Sequence, residues 1–90
     1  MQDIQSEQGR FFIGEKGNTV AEITYSSLGD HVINIDHTFV SPSLRGKGIA
    51  EQLIRKVIEY ARAEGLKINP SCSYAAHHFN KFPEDRDLLH

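Results

Sequence analysis

The hydrophobic period of this chain first turns from alternating to helical at a glycine-rich loop. Before the loop, apolar residues alternate as they do along half-buried strands. After it, Ala50, Leu53, Ile54, Val57 and Ala61 recur at i, i+3, i+4, i+7 and i+11, one face of an amphipathic helix. Glu51 and Arg55 stand four apart on the other side, a spacing that favours an ion pair. Gly65 follows where a left-handed C-terminal cap belongs. A chain with this order must lay a helix over a sheet.

The flanking segments complete the sheet. Arg10–Glu15 carries the apolar run Phe11-Phe12-Ile13, and Lys16-Gly17-Asn18 reads as a tight turn. Thr19–Ser26 alternates, with Ala21, Ile23 and Tyr25 on one face and Glu22 and Thr24 on the other, so the two segments form a hairpin. After a second turn at Leu28-Gly29-Asp30, the span His31–Val40 is the longest strand. Strict alternation puts Ile33, Ile35, His37 and Phe39 on one face and Val32, Asn34, Asp36, Thr38 and Val40 on the other. Pro42 ends it, because proline cannot donate to a ladder. Beyond the helix, Leu66–Asn69 is a short buried strand ended by Pro70. Ser71 or Ser73 caps a second helix running to about Lys81, with Ala75, Phe79 and Phe82 along one face. The acidic tail Pro83–His90 has no assignment. The expected fold is α/β: a mixed, partly antiparallel sheet with two helices, containing one βαβ crossover.

With 90 residues the chain is expected to form a single domain, residues 1–90. No apolar run is long enough to span a bilayer, so no membrane is expected. Met1–Gln8 is polar with two acids, unlike a signal peptide. Cys72 is the sole cysteine, which excludes an internal disulfide and points to a reducing, cytoplasmic location. A net charge of −2 without a Lys/Arg cluster argues against a nucleic-acid partner.

The loop Val40-Ser41-Pro42-Ser43-Leu44-Arg45-Gly46-Lys47-Gly48-Ile49-Ala50 carries the chemistry. A helix begins with unpartnered amide N–H groups and roughly half a positive charge. Glycines let the preceding backbone curl so that successive amides converge on an anion. Ala50 is small enough for a phosphate to approach, and Arg45 and Lys47 add charge at the rim, so the loop is a phosphate cradle. A nucleotide P-loop requires Ser or Thr after Gly-Lys, and Ile49 follows Gly48 here. A dinucleotide fingerprint requires a third glycine where Glu51 stands.

Arg45, two residues, Gly48, one residue and Ala50 instead resemble the coenzyme A pyrophosphate motif of the GNAT superfamily of N-acetyltransferases. The setting of strand, Pro42, loop, long helix, short strand and short helix is similar too, from Glu22 to Phe82. The second helix resembles that superfamily's in part. Of the register Cys72, Ala75, Phe79, Asn80 and Lys81, Ala75 and Lys81 match, while Phe79 replaces the tyrosine whose hydroxyl usually protonates the leaving thiolate. The resemblance implies a minimal GNAT-like acyl-CoA-binding fold with acetyl-CoA or coenzyme A in the loop Arg45, Gly46, Lys47, Gly48, Ile49 and Ala50. It also implies pantetheine pairing with the backbone of Thr38, Phe39 and Val40. The strand and two helices that usually wall the acceptor site, and two further strands, have no counterpart. The amine acceptor is therefore large or unhindered, or a partner chain, in the simplest case a homodimer mate, supplies the wall. The alternative is a non-catalytic acyl-CoA-binding or sensing module.

Catalytic candidates follow from the chemistry. Freeing a lysine amine at pH 7 costs about 4.6 kcal/mol, an α-amino group only about 1 kcal/mol. A base would offset that cost. The candidates are Glu22, Asp36, His37, His77 and His78. Glu22 and Asp36 read as solvated strand carboxylates, and His37, sharing a face with Ile33, Ile35 and Phe39, reads as half-buried and structural. Cys72 opens the second helix, whose N-terminus favours the thiolate. In the GNAT superfamily that position lies near the cofactor sulfur, so Cys72 is the candidate nucleophile, with His77 and His78 one turn along. The competing role is a small buried hydrophobe.

Overall fold

The computed structural model describes residues 3–15 and 17–90, so Lys16 of the expected first turn and Met1 and Gln2 of the polar N-terminus lie outside the described residues. Five strands form one sheet in chain order: β1 (Gln5–Glu7), β2 (Arg10–Glu15), β3 (Asn18–Gly29), β4 (Val32–Val40) and β5 (Lys67–Pro70). The first four are antiparallel neighbours, and β5 lies parallel to β4. Helix α1 (Ile49–Glu64) makes the crossover between β4 and β5, and α2 (Ser73–Lys81) follows β5. The mixed α/β sheet with two helices is the architecture the periodicity requires. Strand β1 was not expected, because its burial pattern is exposed throughout and leaves no apolar signature.

Helix α1 ends as expected. Gly65 is left-handed (φ 70°, ψ 35°), and the Leu66 amide bonds the Ala61 carbonyl at 2.8 Å. Its inner face differs in detail. Ile49 and Ile58 join Leu53, Ile54, Val57 and Ala61 in the core, whereas Ala50 lies at the margin of a cleft described below. Arg55 does not pair with Glu51. Its guanidinium reaches Asp85 at 2.7 Å, because that buried carboxylate offers a drier and better-fixed partner.

From the sheet, Ile13, Ala21, Ile23, Ile33 and Ile35 pack against α1, and Ile68, Ala75 and Phe79 extend the same core under α2. Each fully buried aliphatic side chain contributes about 1.5–3 kcal/mol relative to exposure. The tail is part of this core. Pro83–Leu88 coils as a 3-10 helix, Leu88 is buried, and Leu89 bridges to Ile68. No helix among the described residues is long and apolar enough to cross a membrane.

The expected face of β4 is corrected. Thr24 pairs with His37 but Tyr25 pairs with Ile35, so Asp36 is an extra residue, a β-bulge. Because side chains alternate with period two, one extra residue turns over all that follow. Ile33 and Ile35 remain inside. His37 and Phe39 are exposed on the outer face, and Thr38 and Val40 take the partly buried places. His37 is thus not a half-buried structural histidine. It stands in the open, its Nε2 3.6 Å from Glu22, which also lies 3.4 Å from Arg10 Nε.

Candidate functional site

Strands β4 and β5 pair only from Val32↔Lys67 to Ile35↔Pro70. There the Ile35 carbonyl accepts both the Ser71 amide (3.1 Å) and the Cys72 amide (3.0 Å), and the chain turns into α2. From Thr38 to Val40, β4 pairs with β3 along one edge and, among the described residues, has no strand on the other. The open edge is a row of backbone groups beside the start of a helix.

The loop after β4 meets this gap. Pro42–Leu44 makes a 3-10 turn, and the Arg45 Nε lies 3.3 Å from the Val40 carbonyl. Gly46 (φ 82°) and Gly48 (φ 72°) are both left-handed, a conformation glycine adopts without cost. Gly48 is the N-cap of α1, and no side chain caps the helix, which leaves its first amides free for a ligand. A Cβ at either glycine would meet no atom of the described residues within 4 Å, so the space beside them is open.

A cleft of about 290 Å³ runs from the loop to α2. Val40, Arg45, Gly46, Gly48, Ile49 and Ala50 form one wall, and Tyr74, His77, His78 and Lys81 the other. The structure thus brings six of the nine residues expected to hold a cofactor around one cleft. Lys47 does not line it and stands exposed at the rim. Phe39 turns its side chain to the outer face through the Asp36 bulge, leaving only its backbone toward the open edge. Thr38 faces the gap instead, with Oγ1 3.5 Å from Cys72 Sγ.

Cys72 is the N-cap of α2 and partly buried. Burial opposes ionisation of its thiol. The Thr38 hydroxyl and the amides of Ala75, Tyr74 and Thr38 outweigh that, so the thiol is more acidic than an ordinary cysteine.

The stripe Tyr74, His77, His78 and Lys81 was missed as a unit, although its i, i+3, i+4, i+7 spacing is readable. Tyr74 is partly buried, and burial, then the charges of Glu51 and Cys72, push its phenol upward and keep it protonated. His78 is buried, with Nε2 2.9 Å from Asp85. Asp85 also receives Arg55 and Arg62. Burial raises the Asp85 pKa, but His78 and the two guanidiniums hold the carboxyl below its ordinary range.

The family model of the GCN5-related N-acetyl-transferases matches residues 10–88. The chain belongs to that family. Within the GCN5-related fold, a GCN5-like protein from Staphylococcus aureus, known from an NMR solution structure, is 40% identical with a TM-score of 0.84. The match covers 99% of this chain and 88% of that one. N-acetylglutamate synthase from Neisseria gonorrhoeae, solved with coenzyme A and N-acetyl-glutamate, shares the fold at 17% identity and a TM-score of 0.64. That match covers 86% of this chain and 20% of the synthase. Protein NATD1 of Gallus gallus is 29% identical over 70 residues, 78% of this chain. This GCN5-related chain spans 64% of that relative's length, less than two thirds.

Proposed function

We propose that the chain binds acetyl-CoA in this cleft and moves the acetyl group to an amine, acting as one N-acetyltransferase domain over residues 1–90. The observation that carries the reading is the placement of the Cys72 thiol against Thr38 at the open edge of β4, two residues before Tyr74 in the wall of the cleft that holds the anion cradle. The coenzyme A complex of the fold neighbour N-acetylglutamate synthase supports the choice of cofactor.

The first amides of α1, left free by Gly48, take the pyrophosphate, and Arg45 and Lys47 add charge. The pantetheine arm runs along the backbone of Thr38–Val40, where an amide polarises the thioester carbonyl. The Cys72 thiolate then attacks that carbonyl. A new S–C bond forms on Cys72, the C–S bond to coenzyme A breaks, and the released thiolate takes up the proton that Cys72 gave away. A neutral amine next attacks the Cys72 thioester, forming the amide, returning the Cys72 thiolate and leaving the amine proton to solvent. An α-amino acceptor suits the site best, because its neutral form costs about 1 kcal/mol at pH 7 against about 4.6 kcal/mol for lysine. A second copy of the chain is the simplest source of an acceptor wall, and a reducing cytoplasm suits a working thiol.

A second reading, a module that binds acyl-CoA without transfer, is favoured by Phe79. It is buried and has no hydroxyl to protonate a leaving thiolate. Intact-mass measurement separates the two. On incubation with acetyl-CoA the first predicts a hydroxylamine-sensitive acetyl adduct on Cys72, and loss of turnover in Cys72→Ala with cofactor affinity nearly intact. A Cys72→Ala protein that acetylates at full rate refutes the carrier step and leaves direct transfer. No turnover with either protein, despite binding, selects the module.

A further inference from the structure

The described residues contain one buried imidazole, His78, with 1% of its side chain exposed. It lies in the cleft wall opposite Gly46 and Gly48. Its ring is fixed on three sides. Phe82 lies across it at 4.7 Å, Phe79 meets it edge-on at 5.4 Å, and Asp85 Oδ2 holds Nε2 at 2.9 Å. Asp85 receives Arg55 at 2.7 Å and Arg62 at 3.2 Å, and an ionised carboxylate can only accept hydrogen bonds. Nε2 therefore carries the hydrogen. In the neutral ring Nδ1 is left as a lone-pair acceptor, and it is buried with no partner among the described residues. A buried polar atom left unmet is costly, so a partner is expected from outside the described residues.

The chemistry of that partner is restricted. A lone pair needs a donor, and phosphates, ester oxygens and the thioester carbonyl only accept. The part of an acyl-CoA that leaves the phosphate cradle toward Val40 is the pantetheine arm, which carries amide N–H groups and a hydroxyl. We propose that His78 Nδ1 accepts a hydrogen bond from an amide N–H or hydroxyl of the pantetheine arm, with Asp85 as the positioning residue that fixes the ring and its tautomer. The inference rests on the acyl-CoA reading above. It also gives the C-terminal tail a part in binding, since Asp85 reaches the ring from the Pro83–Leu88 turn.

The test uses the full chain labelled with 15N in its histidine rings and backbone, observed by NMR with two probes. Coenzyme A has the arm. Adenosine 3′,5′-bisphosphate has adenine and two of the three phosphates of coenzyme A but not the arm. Coenzyme A is expected to move the Gly46 and Gly48 amides and to shift the bare Nδ1 of His78 toward lower frequency, while Nε2 stays protonated. The bisphosphate is expected to move the amides and leave Nδ1 in place. His78→Gln, which keeps an atom near Asp85 and loses the second nitrogen, is expected to weaken coenzyme A binding about tenfold and to leave bisphosphate affinity unchanged. Nδ1 unmoved by coenzyme A while the amides shift overturns this inference and leaves the cofactor reading standing. A shift with the bisphosphate as well, or a protonated Nδ1, also overturns it. If neither amides nor ring respond to either probe, both this inference and the cofactor reading fall.

Discussion

Arg45 stands exposed at the mouth of the cleft, its side chain bent back toward the Val40 carbonyl, and among the described residues no carboxylate pairs with it. Its charge is free for a phosphate. Arg45→Ala is expected to weaken coenzyme A binding by about 1.5–3 kcal/mol, the worth of a charge-assisted contact, and calorimetry reads this as roughly a tenfold to hundredfold rise in Kd. An unchanged Kd would place the guanidinium off the phosphates. Asp85 makes a different prediction. Its folded pKa is depressed from 3.8, so its stabilisation is present above that value and is lost as the pH falls through the folded one. Unfolding free energy of the native chain should therefore drop more steeply below pH 3.8 than that of Asp85→Asn, as measured by urea titrations across that window. Parallel acid profiles would contradict the network around His78, Arg55 and Arg62. The two residues were not equally legible in advance. Arg45 sits in a local motif, whereas the partners of Asp85 on α1 lie 30 and 23 positions away, out of reach of a reading by neighbours.

Elements were legible wherever one period ran unbroken. Helix α1 shows this, since its stripe from Leu53 to Ala61 and its Gly65 cap survive intact. Strand β4 shows the converse. Alternation is a statement about parity, and Asp36 adds a residue with no glycine or proline nearby to mark it, so His37, Thr38, Phe39 and Val40 exchange faces. The β2–β3 hairpin also carries an irregularity, at Ile13/Gly14, and there glycine does mark it. Gly14 has φ 131°, and a Cβ would collide with the Asn18 carbonyl oxygen. Gly65 shares the positive φ but has open space. Gly65→Ala should thus cost roughly 1–2 kcal/mol of backbone strain, and Gly14→Ala distinctly more, because strand backbone must move as well. Thermal melts of the two variants check the order. A Gly14→Ala protein melting no lower than Gly65→Ala would contradict the hairpin register.

At the scale of the molecule, the short chain closes its core with its last residues. Leu88 enters the core, Asp85 ties α1 to α2, and the His90 amide bonds the Ile68 carbonyl at 2.9 Å. Removing residues 83–90 should therefore abolish cooperative unfolding, and a truncated chain with a sharp native-like melt would refute a structural tail. The acidic run has no assignment from its own residues, because only the assembled fold supplies the two arginines that draw it in. The cradle was legible because it is local, a strand, two glycines and a helix start within a few residues. The cleft's second wall was not, since it needed α2 set against α1. Acyl-CoA binding in that cleft is the central claim, and it has a direct measurement: calorimetric titration of acetyl-CoA into the native chain and into Gly48→Val. A Cβ at Gly48 meets no atom of the described residues within 4 Å, so the valine blocks the cradle without a steric clash, at a backbone cost of the kind Gly65→Ala carries because φ is 72°. The expected result is one site per chain in the native protein, and none in a variant whose circular dichroism is unchanged. A folded Gly48→Val protein that binds acetyl-CoA with native affinity would contradict the claim.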